Sequence, residues 1–439
     1  MPTDPCIARA SVQRALAAGI QKGCLIVREA DGEVRYGQDP AVASKSVRKA
    51  ELCVKCDNFW ARVYLSYDLG FSEAYMHGDF TTPDLKAILE LWLDNRESLS
   101  GLRSLFSHMQ SLASIAFIRF FGQSLTNARL NVITGYECSN DFFEALLSRD
   151  MTYSCALWTP DIGGVRGDLE GGSHEGDLEK AQLNKIAHLL EKARLRPGDR
   201  LLEFGSGWGS LAIQAGKLGC TVDTITLSTQ QKVLAEKRIA EQGLEKKVRV
   251  HLVDYRHLPP EFEHAFDGFI SVEMVEAVGF KYLPRFFQIL DWALKPDRAC
   301  AVITATTQPE SRYTVYQPED YARRYQWPNS FCPSATSFVS TAASSTRGSL
   351  VLESVENFGH HYPRTLREWG VRLQNNWTAE TIAKVRKSQP HLETTEDLEA
   401  FKRKWEYMCV YAEVGYAGAY TSMHYFTFSR PESVVERCD

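Results

Sequence analysis

From Leu178 onward the apolar positions switch between two periods. Gln182, Ile186, Leu189 and Leu190 recur at helical spacing between about Asp177 and Arg196, where Pro197-Gly198 stops the helix. Short runs rich in β-branched and aromatic residues follow at Leu201 to Phe204, Thr221 to Leu227, Val248 to Val253, Gly268 to Val272 and Cys300 to Thr304. Helical stretches such as Thr229 to Gln242 and Tyr282 to Leu294 separate them. This alternation predicts a doubly wound parallel sheet. Two later runs, Leu350 to Val355 and Tyr420 to Phe428, have helical material between them and predict an antiparallel edge pair. The expected fold is therefore α/β, with a seven-stranded, mostly parallel, Rossmann-like sheet.

The pattern before this region is different. Residues 1–135 carry short apolar runs at Gly23 to Val27 and Tyr64 to Leu69, then a helical stripe after Pro83 formed by Leu85, Ile88, Leu89 and Trp92, and read as a smaller α+β module. Residues 136–177 connect the two parts, and the Gly-rich, acidic stretch Gly163 to Gly176 reads as a surface loop. Residues 178–439 form the larger domain, with an aromatic insertion at 305–349. A chain of 439 residues exceeds what one ordinary core supports, which agrees with two units.

Composition narrows the function. With 44% hydrophobic and 24% charged residues the chain reads as folded and globular, and a net charge of -5 gives no basic field for nucleic acid. The most apolar window, Ser111 to Gly122, is short for a membrane span and carries Arg119. The N-terminal stretch lacks the apolar core of a signal peptide, so a cytoplasmic protein is expected. The 11 cysteines are scattered and odd in number, which favours reduced thiols. Cys53-Val-Lys-Cys56 has no second ligand pair at zinc spacing, so no metal is expected.

Gly205-Ser-Gly207-Trp-Gly209 directly follows the first strand of the larger domain and opens a helix. Glycines there permit a tight turn and close approach of a ligand to the main chain. A packing turn would use the same residues, so the neighbours decide. The G-x-G-x-G spacing after Glu203-Phe204 is closer to the methyltransferase form than to that of dinucleotide enzymes. Asp254 ends the third strand, where it either accepts a hydrogen bond from an adenine amino group or caps the loop. The second strand ends in Thr226-Leu-Ser228 with no acidic residue, which leaves ribose hydroxyls to neutral groups such as Ser228 or Gln231.

Longer motifs extend this reading: Asp68-Leu-Gly-Phe-Ser-Glu-Ala-Tyr75, Met151-Thr-Tyr-Ser-Cys-Ala-Leu157, Leu202-Glu-Phe-Gly-Ser-Gly-Trp-Gly209, Ile225-Thr-Leu-Ser228, Ser271-Val-Glu-Met-Val-Glu-Ala-Val-Gly279 and Asn357-Phe-Gly-His-His-Tyr362. In content and order they resemble cyclopropane-fatty-acyl-phospholipid synthases and the related mycolic-acid methyltransferases, over most of the chain. The resemblance implies a class I methyltransferase fold using S-adenosyl-L-methionine, with cofactor contacts at Tyr153, Ser154, Glu203, Gly205, Gly207, Thr226, Leu227, Ser228, Gln231, Asp254 and Tyr255. It implies attack of an acyl-chain alkene on the cofactor's methyl group, followed by proton loss to a bicarbonate ion. Cys155, Glu276 and Tyr362 fall on three of the positions that hold that ion. Thr304 falls on the fourth, where histidine or glutamine is expected, and Thr306 falls where isoleucine is usual. Threonine reaches less far and carries no charge, so a methyl-branched or methylene product stands beside the cyclopropane. Read without the resemblance, Cys155 is a small buried residue, Glu273 and Glu276 are a solvated helix face, and Tyr362 is core.

The insertion interleaves Tyr313, Tyr316, Tyr321, Tyr325, Trp327, Phe331 and Phe338 with Arg312, Arg323 and Arg324. It reads as a cover over a lipid or other hydrophobic substrate, with Arg323 and Arg324 towards anionic headgroups. Peripheral membrane contact and a homodimer are compatible with this picture. Ser271-Val-Glu-Met274 and Glu276 also look like plant alkaloid N-methyltransferases, which keeps open a soluble small-molecule acceptor; a non-catalytic binding protein with the same fold is the third reading.

Overall fold

The computed structural model describes residues 5–38, 47–99 and 139–433. The apolar window at 111–122 lies outside them. The chain divides into two compact units.

The first unit takes Met1–Phe121, Tyr316–Gln326 and Gln389–Gly418. Its mixed sheet has the order β2-β1-β3-β4, from β1 Cys24–Glu29, β2 Gly32–Gly37, β3 Lys49–Val54 and β4 Phe80–Thr81. The helix Leu85–Asp94 buries Leu85, Ile88 and Leu89 on the predicted stripe and is capped by the Asp84 carboxylate, which accepts from the Ala87 N–H. The apolar run Tyr64 to Leu69 lies inside the helix Asn58–His77. The helix Thr395–Ala417 starts on a reciprocal cap between Thr394 and Asp397. It brings Tyr407 and Tyr411 to Tyr321, with ring centroids at 4.5 and 5.4 Å. Part of the aromatic insertion thus completes this unit. Arg323, expected to face headgroups, is instead buried, because its guanidinium pairs with Asp320 at 2.6 Å and donates to Gln317.

The second unit takes Gly122–Val315, Trp327–Ser388 and Ala419–Asp439. Its sheet has the order β10-β11-β9-β8-β5-β6-β7, with β5 Arg200–Phe204, β6 Thr221–Thr226, β7 Val248–Leu252, β8 Gly268–Val272, β9 Cys300–Thr307, β10 Val351–Asn357 and β11 Ser422–Ser429. The first five are parallel and β11 is antiparallel to both its neighbours. The predicted seven strands are all present. β9 runs three residues past the predicted Thr304, because β11 pairs along it from Ser429↔Cys300 to Ser422↔Thr307. Leu201, Leu202 and Phe204 are completely buried, the unbroken burial that a parallel strand covered on both faces requires. Phe338, from the second half of the insertion, packs into this core against Phe287 and Phe426.

The segment 163–176 is more ordered than the expected surface loop. After the 3-10 turn Pro160–Ile162 it forms a second one, Gly164–Arg166, and the short helix Gly167–Glu170. The completely buried Arg364 donates to the carbonyls of Ile162 and Gly164 and pairs with Asp177, while Arg367 pairs with Asp168. Acidic residues that read as solvent-facing are thus tied to a cationic helix, Tyr362–Asn376.

β5 lies between β6 and β8, so the connections that leave its two sides run in opposite directions and open a crevice at the carboxyl ends of the parallel strands. Among the described residues, no helix is long and apolar enough to cross a membrane.

Candidate active site

One edge of the crevice is main chain. Gly205, Gly207 and Gly209 take φ of 92, 49 and 87°, a region that L side chains rarely adopt. The turn is anchored by the Gly205 and Ser206 N–H groups, both donating to the Ile225 carbonyl at 3.0 Å, and by Thr224 Oγ1 on Ser206 Oγ at 2.7 Å. Arg238 holds its far side through the carbonyls of Trp208 and Asp150. A Cβ on Gly207 would meet nothing within 4 Å, so the turn presents bare backbone to open space. Glu203, next to last in β5, is buried, and its Oε2 has no hydrogen-bond partner among the described residues. Burial pushes its carboxyl up to about 8.

At the end of β6 the Thr226 hydroxyl bonds the Gln231 side-chain oxygen at 2.8 Å, Leu227 is half-buried, and Ser228 caps the helix Thr229–Glu241 by accepting the Gln231 N–H. Asp254 caps the 3-10 turn after β7 and grips the Arg256 guanidinium through both oxygens, which holds its carboxyl low despite burial. Of the two roles open to Asp254, loop capping is on display. Tyr255 packs on Phe204, and its enclosed hydroxyl has no partner among the described residues.

The other edge is side chain. Met151 turns the chain at φ 58°, and residues 151–158 then run without regular structure. Their donors are met by side chains from distant segments. The Cys155 N–H donates to Glu273 Oε1 at 2.7 Å, the Ala156 N–H to Thr365 Oγ1 at 3.2 Å, and the Trp158 N–H to His361 Nδ1 at 3.0 Å. Burial drives His361 down to about 4, so Nδ1 stays an acceptor. Tyr153 stacks on Trp369 at 5.0 Å. Ser154 accepts from the buried Lys185 ammonium at 2.6 Å, and its carbonyl accepts from Gln182 at 2.8 Å.

Glu273 is the hub. Its Oε1 takes the Cys155 N–H and its Oε2 takes the Tyr362 hydroxyl at 2.8 Å. Its own N–H donates to Thr304, to the carbonyl at 3.2 Å and to Oγ1 at 3.1 Å. The backbone at Glu273 is strained, with φ of 47°. Glu276, three residues on, accepts the Thr306 N–H at 2.6 Å on one oxygen, while the other is enclosed without a partner among the described residues. Burial, then repulsion from Glu273, lifts Glu276 to about 8. Burial also raises Glu273, opposed by Cys155, Tyr362 and the positive charge of Lys185. Raised to about 8, Glu276 carries its proton at neutral pH. The two edges meet at Met274, whose side chain lies 3.4 Å from where a Cβ on Gly205 would stand.

Cys155, Tyr362, Thr304 and Glu276 are therefore brought to one place, but around a residue to which the motif reading gave no role. Lys185, Gln182 and Thr365 were also missed. Lys185 had a readable signal: it falls on the stripe of Ala181, Gln182, Ile186 and Leu189, where a lysine needs a reason to be buried.

Residues 123–398 match the family model described as mycolic acid cyclopropane synthetase. This chain belongs to that family. Among relatives, cyclopropane-fatty-acyl-phospholipid synthase of Escherichia coli is 31% identical over 76% of this chain and 80% of its own length. Tuberculostearic acid methyltransferase UfaA1 of Mycobacterium tuberculosis is 29% identical over 91% of this chain and 86% of its own. The solved structure of the cyclopropane synthase MmaA2 from Mycobacterium tuberculosis superposes with a TM-score of 0.56 at 23% identity, covering 69% of this chain and 98% of that one, and it shows the fold. The family, the fold and the enzyme class expected from the sequence are thus met: the chain is an S-adenosylmethionine-dependent methyltransferase.

As a mycolic acid cyclopropane synthetase family member, the chain fits this cofactor on its own geometry: a glycine turn facing open space, with the unspent Glu203 oxygen and Tyr255 hydroxyl beside it. The bicarbonate expected from the resemblance fits less well. The Cys155 N–H and Tyr362 O–H, two groups that would hold it, are already donated to Glu273, and a further anion would face a carboxylate there.

Proposed function

We propose that this enzyme transfers a methyl group to an alkene carbon of an unsaturated fatty-acyl chain. What carries the reading is the enclosed Glu273 and Glu276 pair set directly against the glycine turn through Met274. Two relatives named for acyl-lipid products support it, since each is covered over four fifths of its length or nearly so. Gly205 and Gly207 would hold the cofactor by main chain, Glu203 by its free oxygen, and Tyr153, Ser154, Thr226, Leu227, Ser228, Gln231, Asp254 and Tyr255 would line its place. Bound there, S-adenosylmethionine supplies an electrophilic methyl group. A cation beside Glu203 would draw off the proton that burial keeps on it. Tyr362 and the Cys155 main chain orient a carboxylate in surroundings poor in water, and Thr304 and Thr306 fix the two glutamates through the backbone. Acyl chains reside in bilayers, so the acceptor is met at a membrane surface. Incubating the full chain with labelled S-adenosylmethionine and a mixed lipid extract should place label in acyl chains that gain one carbon. Label confined to polar metabolites overturns the reading.

A further inference from the structure

Three facts about Glu273 are unexplained by packing. Its backbone is held at φ 47°, a left-handed conformation that strains a non-glycine residue. Both carboxylate oxygens are anchored by one donor each, the Cys155 N–H and the Tyr362 O–H, which leaves a lone pair on each oxygen. And the position where the family resemblance expects a long histidine or glutamine is Thr304, whose short hydroxyl accepts from the Glu273 main-chain N–H.

We propose that Glu273 is a built-in base: its carboxylate occupies the anion place between Cys155 and Tyr362 and takes the proton that the methylated acyl chain must lose. The inference rests on the lipid reading above. Once the methyl group has joined one alkene carbon, the neighbouring carbon is cationic. A Glu273 oxygen uses its lone pair to form an O–H bond with a proton of the substrate. The C–H electron pair either closes a ring onto the cationic carbon or forms a double bond. The neutral carboxylic acid then returns its proton to solvent. Against burial, which raises Glu273, the Cys155 N–H, the Tyr362 O–H and the charge of Lys185 favour its ionised form, and the protonated Glu276 adds no second charge. A base supplied by the chain needs no bicarbonate, and it needs no long side chain at 304 to hold one.

The test uses the full-length enzyme with vesicles of a monounsaturated phosphatidylglycerol, in buffer stripped of carbon dioxide. Wild-type turnover should be the same with and without added sodium bicarbonate. Glu273→Ala and Glu273→Gln should each lose about 100-fold or more in turnover, the share a general base contributes, while binding S-adenosylmethionine normally by calorimetry. Formate or bicarbonate should restore Glu273→Ala, which opens a cavity, and not Glu273→Gln, which keeps it filled. Wild-type activity that collapses without bicarbonate overturns the proposal, as does a Glu273→Gln enzyme within twofold of wild type. A wild-type enzyme that binds cofactor but adds no carbon to any acyl chain overturns the lipid reading first, and the base assignment falls with it.

Discussion

The glycine turn after β5 and the carboxylate cluster after β8 sit on neighbouring strands of one sheet, yet the first is assembled from main chain and the second from side chains. The turn needs only three alternating glycines with positive φ within five consecutive residues. The cluster needs residues 155, 185, 273, 276, 304 and 362 to converge, and it holds two half-buried carboxyl groups and the buried Lys185. A main-chain site is hard to damage except by adding atoms. A buried charged site is sensitive to every partner, because removing one leaves the others uncompensated.

The largest effect should come from adding atoms to the turn. Gly207→Val places a branched side chain in the cradle at a φ of 49°. Cofactor affinity by calorimetry should fall about 100-fold or more, ~3 kcal/mol, because the side chain fills space that the cofactor would take. Denaturation should also come earlier, by the roughly 1–3 kcal/mol that a branched residue costs at this φ, although no neighbour lies within 4 Å. Normal affinity would mean that the cofactor does not use this turn.

Next comes removal of the ammonium. Lys185→Met leaves Glu273 and Ser154 without their buried partner and should lower unfolding free energy by about 3 kcal/mol in urea titrations. The same change raises the Glu273 carboxyl, because an ion that favours its charged form is gone. The acid limb of the pH–rate profile should therefore move to higher pH, by about one unit. An unshifted limb would separate Lys185 from the chemistry and leave it a structural residue.

The fold was legible because continuous apolar runs mark strands buried on both faces, and the glycine turn was legible because its requirement is local. The acceptor edge was not. Two glutamates three apart read as one face of a helix, but Glu273 stands at a left-handed bend and Glu276 on a 3-10 turn, so their spacing fixes no shared face. The aromatic insertion posed the same problem at larger scale. Its composition announces burial, yet Tyr321 belongs to the core of the first unit and Phe338 to that of the second. Composition does not say which partner a ring will find.

Within the carboxylate edge the two glutamates should respond unequally. Glu276→Gln replaces a group that is already protonated at neutral pH, and an amide keeps an oxygen for the Thr306 N–H. Turnover near pH 7 should fall less than about tenfold, far less than for Glu273→Gln. Because Glu276 is raised from 4.5 to about 8, its proton is held more tightly in the folded state. Stability therefore declines as pH climbs from the ordinary carboxyl range through about 8, and that slope should vanish in Glu276→Gln. Complete loss of turnover in Glu276→Gln would exchange the roles of the two residues.

The smallest effect should come from the cysteine. Cys155 belongs to the acceptor edge by position, but its contribution there is main chain: the N–H donates to Glu273, while among the described residues Sγ makes long contacts, 3.6 Å to the Ala156 carbonyl and 3.9 Å to that of Phe358. Burial, then the charge of Glu273, raise its thiol well above the usual value, so no thiolate is at hand near neutral pH. Cys155→Ala keeps the N–H and should hold turnover within about fivefold, with a stability loss of about 1 kcal/mol from the lost weak contacts and the small void. Peptide mapping after iodoacetamide treatment of the native enzyme should find Cys155 unmodified. If Cys155→Ala instead cost as much as Glu273→Gln, the sulfur itself would take part. The division between a main-chain edge and a side-chain edge would then hold without this exception, because Cys155 would act through its side chain like its neighbours.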